Sequence, residues 1–236
     1  MELRTPSSTA QDTLPSQVLN LNNWKLTLPI GTSEKPTEVK QPDLTGFKLD
    51  PWFVVNSEGN GVRFRAPVNA PTTQNSNYPR SELREMKDDG KNNASWNTSS
   101  GTHKMLIQEA ITAVPSYKKH VVAAQIHDSS DDVIVIRLEH PKLWVNVDGK
   151  NKYVLNSNYV LGERFTINFI VKDNQTKVYY NGSQNPVYTL NKRYSKAYFK
   201  AGAYTQSNCS KEKSSSLCND NNYGEVIIYH LSVIHE

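Results

Sequence analysis

Apolar and polar residues alternate with a period of two along most of the chain, in short runs separated by turn-forming residues. The runs lie at 24–28, 52–55, 62–65, 80–86, 104–112, 121–127, 133–138, 143–147, 153–155, 165–172, 177–180, 198–206 and 226–234. Because successive side chains of a strand point to opposite faces, this pattern predicts many short β-strands. No window offers an amphipathic helix with a cap and a length of about ten residues or more.

Turn-forming residues support this interpretation. Residues 173–176, Asp-Asn-Gln-Thr, suit a hairpin turn, and Asn181-Gly182 marks another tight turn. Residues 29–42 are rich in Gly, Pro, Ser and Thr and predict a long loop. We therefore predict an all-β fold, a jelly-roll β-sandwich of two antiparallel sheets.

The length and composition bound the domain organisation. A chain of 236 residues suits one all-β domain and can bury about 70% of its unfolded surface. Residues 1–20 are rich in Ser, Thr, Pro and Gln and predict a flexible N-terminal tail, followed by a single domain over 21–236. No apolar run approaches the length of a membrane span, so we expect no membrane partner.

The charge is mildly positive. A net charge of +4, with Lys and Arg spread along the chain, allows an anionic partner and argues against a nucleic-acid-binding arm. Cys209 and Cys218 lie in a Ser/Asn/Lys-rich stretch without the second pair that would complete a zinc site. A local disulfide is favoured over free thiols and would imply an oxidising compartment. The N-terminus lacks the apolar core of a signal peptide, so an export signal was either removed or never present.

One strand candidate, 198–206, has two unlike faces. Tyr198, Lys200, Tyr204 and Gln206 share one face, and small or apolar residues occupy the other. This row of long polar groups predicts the floor of a groove for an anionic chain. Gly202 leaves a gap in the row, and we expect a side chain there to point into the groove. The alternative is a half-exposed strand with aromatic cross-strand pairs.

Two more strands carry candidate chemistry. Arg80, Glu82 and Arg84 share a face, where the guanidinium groups can hold the carboxylate and still bind an anion; the alternative is a solvent-facing ion ladder. Gln125 and His127 share a face of the next strand, although a histidine at a strand end is often a surface residue. The aspartates at 128–132 lack the glycine and the closing glutamate of a calcium loop and predict a solvated turn.

Together these side chains could meet on one concave sheet. They include no paired carboxylates for glycoside hydrolysis, no nucleophile elbow and no metal cluster. They suit elimination from a uronic acid polymer, in which Arg and Gln neutralise the carboxylate beside the acidic carbon. A neutral His, with a reference pKa of about 6.5, can remove the carbon-bound proton, and a Tyr hydroxyl can protonate the leaving oxygen.

At these residues the chain resembles a known family. Segments 80–84, 125–127 and 198–206 match, in order, three signature segments of the alginate lyases of polysaccharide lyase family 7. Segments 24–31, 78–79, 94–96 and the loop between the cysteines are also similar to bacterial members, so the resemblance runs from about residue 20 to the end. It implies a jelly roll whose concave face binds alginate, a copolymer of mannuronate and guluronate.

The resemblance also implies roles. Arg80 and Gln125 would neutralise the substrate carboxylate, His127 would be the base on guluronate, and Tyr204 would be the acid. On mannuronate, Tyr204 would serve as both base and acid. The residues expected to line the subsites are Glu82, Arg84, Tyr198, Lys200 and Gln206. The family usually needs no metal or other cofactor, and an Ile at position 126 tends to accompany a preference for guluronate.

We therefore expect a monomeric, secreted or periplasmic bacterial enzyme that cuts alginate endolytically and leaves an unsaturated uronate at the new non-reducing end. The alternative is a carbohydrate-binding module or lectin, which would keep the aromatic and cationic residues but would not need His127 together with Tyr204. A nucleic-acid binder would show strongly salt-dependent binding to DNA, and the dispersed charge argues against it.

Overall fold

The computed structural model describes residues 12–236, and within them the chain forms two antiparallel sheets packed face to face. A short helix, α1 (Pro15–Val18), precedes the strands, and single 3-10 turns lie at Asp43–Gly46 and Ser215–Leu217. The strands are β1 (Trp24–Thr32), β2 (Lys35–Val39), β3 (Phe53–Val55), β4 (Val62–Pro67), β5 (Arg80–Lys87), β6 (Asn92–Asn93), β7 (His103–Ala113), β8 (His120–His127), β9 (Asp132–Glu139), β10 (Lys142–Val147), β11 (Lys150–Asn156), β12 (Phe165–Lys172), β13 (Gln175–Tyr180), β14 (Tyr188–Asn191), β15 (Tyr198–Thr205) and β16 (Tyr223–His235).

The first sheet has the order β11-β10-β9-β8-β15-β5-β1-β2, with β6 paired to β5, and the second has the order β14-β13-β12-β7-β16-β4-β3. The outer strands of each sheet pair with their neighbours in the chain, whereas the central pairs join strands that are distant in sequence, as β15 between β8 and β5 illustrates. The predicted jelly-roll sandwich is confirmed.

The core lies between the two sheets, and the period-two pattern places it there. In β12, Phe165, Ile167, Phe169 and Val171 are at most 2% exposed, whereas the residues between them are half-buried. Each such side chain contributes about 1.5 to 3 kcal/mol when it leaves water, so this alternation is the main force that fixes which face of each strand turns inward.

The predicted turns are confirmed. Asp173, Asn174, Asn181 and Gly182 all have positive φ, as the tight turns at both ends of β13 require. The first turn is shorter than predicted, because β13 already begins at Gln175.

The structure differs from the predicted long loop at 29–42, where β2 pairs with β1. This strand lies at the edge of its sheet, where a proline such as Pro36 is tolerated because one row of its backbone groups faces outward. Its mostly exposed side chains hide the alternation that marks the inner strands.

The boundary of the N-terminal segment also differs. Residues 1–11 of the predicted tail lie outside the described residues. From Pro15 onward, however, the chain packs against the sandwich: Leu19 is 3% exposed and belongs to the core, and Ser16 Oγ donates to the Thr45 carbonyl at 2.6 Å. The core thus begins before the predicted start at residue 21.

The favoured disulfide is confirmed, with 4.8 Å between the Cα atoms of Cys209 and Cys218. Among residues 12–236, no helix is both long and apolar enough to cross a lipid bilayer.

Candidate active site

A groove of about 510 Å³ lies on the face of the first sheet that turns away from the core. Strand β15 forms its floor between β5 and β8, and the ladder register sets Lys200 opposite both Arg84 and Gln125. The three segments singled out in the sequence are therefore neighbouring strands. Their polar faces meet because their alternate residues, such as Leu83 and Phe199, are fully buried in the core.

The groove brings together most of the predicted site residues. Its walls and floor include Arg80, Arg84, Gln125, His127, Tyr198, Lys200, Tyr204 and Gln206. Gln206 Nε2 is buried without a hydrogen-bond partner among the described residues.

Glu82 differs from its predicted place in the subsites. It is 1% exposed and lies beneath the groove instead of lining it. Its Oε2 accepts from Arg80 Nη1 at 3.0 Å and from Lys200 Nζ at 2.6 Å, and its Oε1 accepts from Gln125 Nε2 at 2.5 Å. Glu82 thus holds three groove side chains in fixed orientations, because hydrogen bonds to a buried carboxylate are short and strong.

The charges of this cluster shift its pKa values. Burial by itself would raise the pKa of the Glu82 carboxyl, but the Lys200 and Arg80 charges outweigh it and hold that pKa below its ordinary value. For Lys200, burial and the neighbouring Arg80 together lower the pKa to about 8. At neutral pH the cluster therefore holds two cations against one carboxylate, which favours a bound anion.

Hydrogen bonds fix the tautomer of His127. Its Nδ1 lies 2.7 Å from the Asp128 carbonyl, which can only accept, so we assign the ring proton to Nδ1 and the lone pair to Nε2. The Tyr198 hydroxyl lies 3.0 Å from the same Nδ1, and the two rings stack with centroids 5.1 Å apart. Burial lowers the pKa of His127, so the ring is neutral at pH 7 and its Nε2 can act as a base.

Tyr204 is held from two sides. The Arg80 guanidinium lies over its ring, 3.9 Å from the centroid, and its hydroxyl lies 2.9 Å from Ser76 Oγ. Sequence reasoning missed Ser76, which also contacts Arg80 Nη2 at 3.1 Å. It lies in a polar stretch before β5 that has no strand alternation, so its position offered no signal.

The structure corrects the expectation for Gly202. Its φ of +138° is one that side-chain-bearing residues rarely adopt, and β15 is bulged at this point. An added Cβ would lie 2.5 Å from the Ser81 carbonyl oxygen and 2.9 Å from Glu82 Cα, against β5 and not in the groove. Glycine is needed here because the backbones approach closely, and not because the sugar needs room.

A larger cavity of about 640 Å³ lies elsewhere, lined in part by Trp24, Trp96 and His103. Its ionisable groups bind one another: His235 Nε2 lies 2.6 Å from Glu85 Oε1, and His235 Nδ1 lies 2.8 Å from His103 Nδ1. The smaller groove is the better candidate, because its cations Arg80 and Lys200 outnumber the one carboxylate that they share, and the neutral His127 lines the same groove.

Comparisons with known proteins agree with this placement. The sequence model of a family described as alginate lyase matches residues 19–235. The chain is similar to the crystal structure of the alginate lyase from Corynebacterium sp., with 48% identity, a TM-score of 0.90, and coverage of 94% of this chain and 98% of that one. It is also similar to alginate lyase AlgAT5 from polysaccharide lyase family 7, with 49% identity, a TM-score of 0.89, and coverage of 95% and 99%.

A curated alginate lyase of Klebsiella pneumoniae is 34% identical over 76 residues. That match spans 30% of this chain and 24% of the Klebsiella protein, so it covers about a quarter of that relative's length.

Proposed function

The chain belongs to the alginate lyase family, polysaccharide lyase family 7, and we propose that it cleaves alginate by β-elimination. The observation that carries the proposal is the pairing of a neutral His127 with a firmly held Tyr204 on either side of a cationic cluster. A variant of a family 7 alginate lyase, 28% identical over 94% of this chain, was crystallised in complex with a product written GGG, which supports a uronate polymer as the substrate.

In the proposed reaction, Arg80 and Gln125 bind the substrate carboxylate and neutralise its charge, so that the neighbouring carbon becomes more acidic. His127 Nε2 removes the proton from that carbon. The electron pair forms a carbon–carbon double bond as the bond to the glycosidic oxygen breaks, and the Tyr204 hydroxyl donates its proton to that oxygen. The products are a new reducing end and an unsaturated uronate at the new non-reducing end.

We further propose a preference for guluronate. In the ladder, His127 pairs with Tyr198 and Arg80 pairs with Tyr204, so base and acid flank the carboxylate-binding cluster from opposite ends. This arrangement suits a sugar whose proton and leaving group lie on opposite sides, as in guluronate. In mannuronate the proton and the leaving group lie on the same side, and Tyr204 would have to act as both base and acid.

Endolytic action is a separate part of the proposal. The groove crosses β1, β5, β15 and β8, which allows an internal stretch of the polymer to lie across the sheet.

We also propose a monomeric, secreted or periplasmic protein whose residues 21–236 act as one catalytic domain. The disulfide supports an oxidising compartment.

The test is to incubate the protein with alginate and to follow the ultraviolet absorbance of the new double bond. A rise is expected; no rise, with alginate still bound, would favour the carbohydrate-binding module instead. Sizing the products from pure guluronate and pure mannuronate blocks tests endolytic action and the guluronate preference. Endolytic action should give large fragments early in the reaction, and guluronate blocks should be cleaved faster than mannuronate blocks.

Two variants test the residue roles. Tyr204→Phe should lower kcat by at least about 100-fold on both blocks, because it removes the proton donor. His127→Asn should lower the rate on guluronate blocks much more than on mannuronate blocks. Tyr153→Phe, at a tyrosine that is 42% exposed on β11, and His230→Asn, at an exposed histidine of the second sheet, are controls that should keep wild-type rates. Near-normal turnover by Tyr204→Phe would show that the proton donor is another group.

A further inference from the structure

Ser76 occupies an unusual position in the groove wall. Its Oγ lies 2.9 Å from Tyr204 Oη, 3.1 Å from Arg80 Nη2, and 3.1 Å from both the amide nitrogen and the carbonyl oxygen of Tyr78. A serine in a turn often bonds its local backbone, as the Tyr78 contacts do. The two long-range contacts go further, because they join Ser76 to a carboxylate-binding side chain and to the proton donor of the proposed reaction.

The direction of these bonds follows from counting donors and acceptors. A serine hydroxyl has one proton to donate and two lone pairs to accept with. The Tyr78 amide and the Arg80 guanidinium can only donate, so they occupy both lone pairs. The serine proton is then left to point at either the Tyr78 carbonyl or Tyr204 Oη.

Loss of the Tyr204 proton decides between these two directions. Once Tyr204 has given its proton to the leaving oxygen, the phenolate oxygen is a stronger acceptor than a backbone carbonyl. Rotation about the Cβ–Oγ bond of Ser76 can turn its proton from the carbonyl to the phenolate oxygen, which lies 2.9 Å from Oγ. The charged Arg80 donor on the same Oγ polarises this hydroxyl and strengthens the bond.

We propose that Ser76 is a positioning residue that donates a hydrogen bond to Tyr204 and stabilises the negative charge that develops there as its proton leaves. The inference rests on the proposed function, since it assigns Ser76 a part in the proton transfer from Tyr204. Because Arg80 contacts both Ser76 and the Tyr204 ring, it couples the carboxylate site to the proton donor through this hydroxyl.

The test compares Ser76→Ala with Ser76→Thr in steady-state cleavage of alginate. Ser76→Ala should lower kcat by about 10- to 100-fold and change KM by less than about 3-fold, because the lost bond matters most in the transition state. Ser76→Thr keeps the hydroxyl and should restore kcat to within about 5-fold of wild type. Ser183→Ala is the matched control, since Ser183 Oγ accepts from the Tyr180 amide in a turn of the second sheet, and its kcat should not change.

A purely structural role for Ser76 would give different results. It would lower the melting temperature and would raise KM along with the fall in kcat, and threonine would rescue poorly. Either that pattern or a Ser76→Ala kcat within 2-fold of wild type would overturn the inference. In a wild-type enzyme that makes the double bond, these outcomes concern Ser76 alone, whereas a wild type without activity would overturn the proposed function.

A second measurement holds even if Ser76→Ala is destabilised. In the Tyr204→Phe background no phenolate can form, so adding Ser76→Ala should lower the residual kcat by less than about 2-fold. If Ser76→Ala costs as much in that background as it does in the wild type, its effect does not pass through Tyr204 and the inference fails.

Discussion

The buried carboxyl group of Glu109 leads us to predict that the free energy of unfolding falls as the pH rises towards 8. It lies in β7 on the same face as the fully buried Ile107 and Ile111, is 0% exposed, and has no hydrogen-bond partner for either carboxylate oxygen among the described residues. A lone carboxylate in such a place is costly, because no water or donor compensates its charge. Burial accordingly raises the pKa of Glu109 to about 8.

The sign of the effect follows from the two states. The unfolded chain releases the Glu109 proton near the ordinary pKa of 4.5, whereas the folded protein keeps it up to about pH 8. Between these values the folded state binds more protons, so stability falls as the pH rises. Each pH unit costs about 1.4 kcal/mol, so at pH 7 the free energy of unfolding is lower by about 3 kcal/mol than with a side chain that never ionises.

Glu109→Gln tests this reasoning, since glutamine has nearly the same shape and no ionisation. We expect the difference in unfolding free energy between variant and wild type to grow by about 2 to 3 kcal/mol from pH 5 to pH 7. Urea denaturation at the two pH values measures it, and the melting temperature should diverge by about 5 to 10 °C over the same interval.

The comparison between two pH values matters because it cancels any difference in packing between the two side chains. Glu58→Gln, at an exposed glutamate, is the matched control and should show a pH-independent difference within about 0.5 kcal/mol. A Glu109→Gln difference that is the same at pH 5 and pH 7 would refute the reasoning.

Three further predictions concern the groove and its supports. Because the pKa of Lys200 is lowered to about 8, its ammonium loses its charge above that pH, and KM for alginate should rise between pH 7 and 9. In Lys200→Arg this rise of KM should vanish. A KM that depends on pH in the variant as it does in the wild type would count against this assignment. Replacing Cys209 and Cys218 by serine opens a short loop and should lower the unfolding free energy by about 2 to 3 kcal/mol in urea titrations; no change would mean that the bridge does not constrain the unfolded chain. Gly202→Ala should cost about 1 to 3 kcal/mol and also lower kcat, because β15 must shift away from β5; a fully stable, active variant would contradict the close approach.

Local sequence signals were sufficient for the strands that bury one face. Their alternation reflects contact with a core on one side only, and the turns at both ends of β13 need residues that accept positive φ. The edge strand β2 was not predicted, because its side chains are mostly exposed and show no such alternation. The edge strand β14 was not predicted either, and with four residues it is short. The predicted groove floor also follows from alternation, since Lys200 and Tyr204 share a face of any strand that contains them.

What the sequence by itself determined is therefore which side chains share a strand face and which segments carry the family's signature. The tertiary structure alone decided how those faces meet. Cross-strand register turned Glu82 from an expected groove contact into a buried anchor for Arg80 and Lys200, and it brought Ser76 to Tyr204 from 128 residues away in the chain. The same register brings the backbone of β5 so close to Gly202 that a Cβ there would clash with it. Alternation reports only on the two faces of a single strand, whereas burial and hydrogen bonding at a site depend on neighbours that are distant in the sequence.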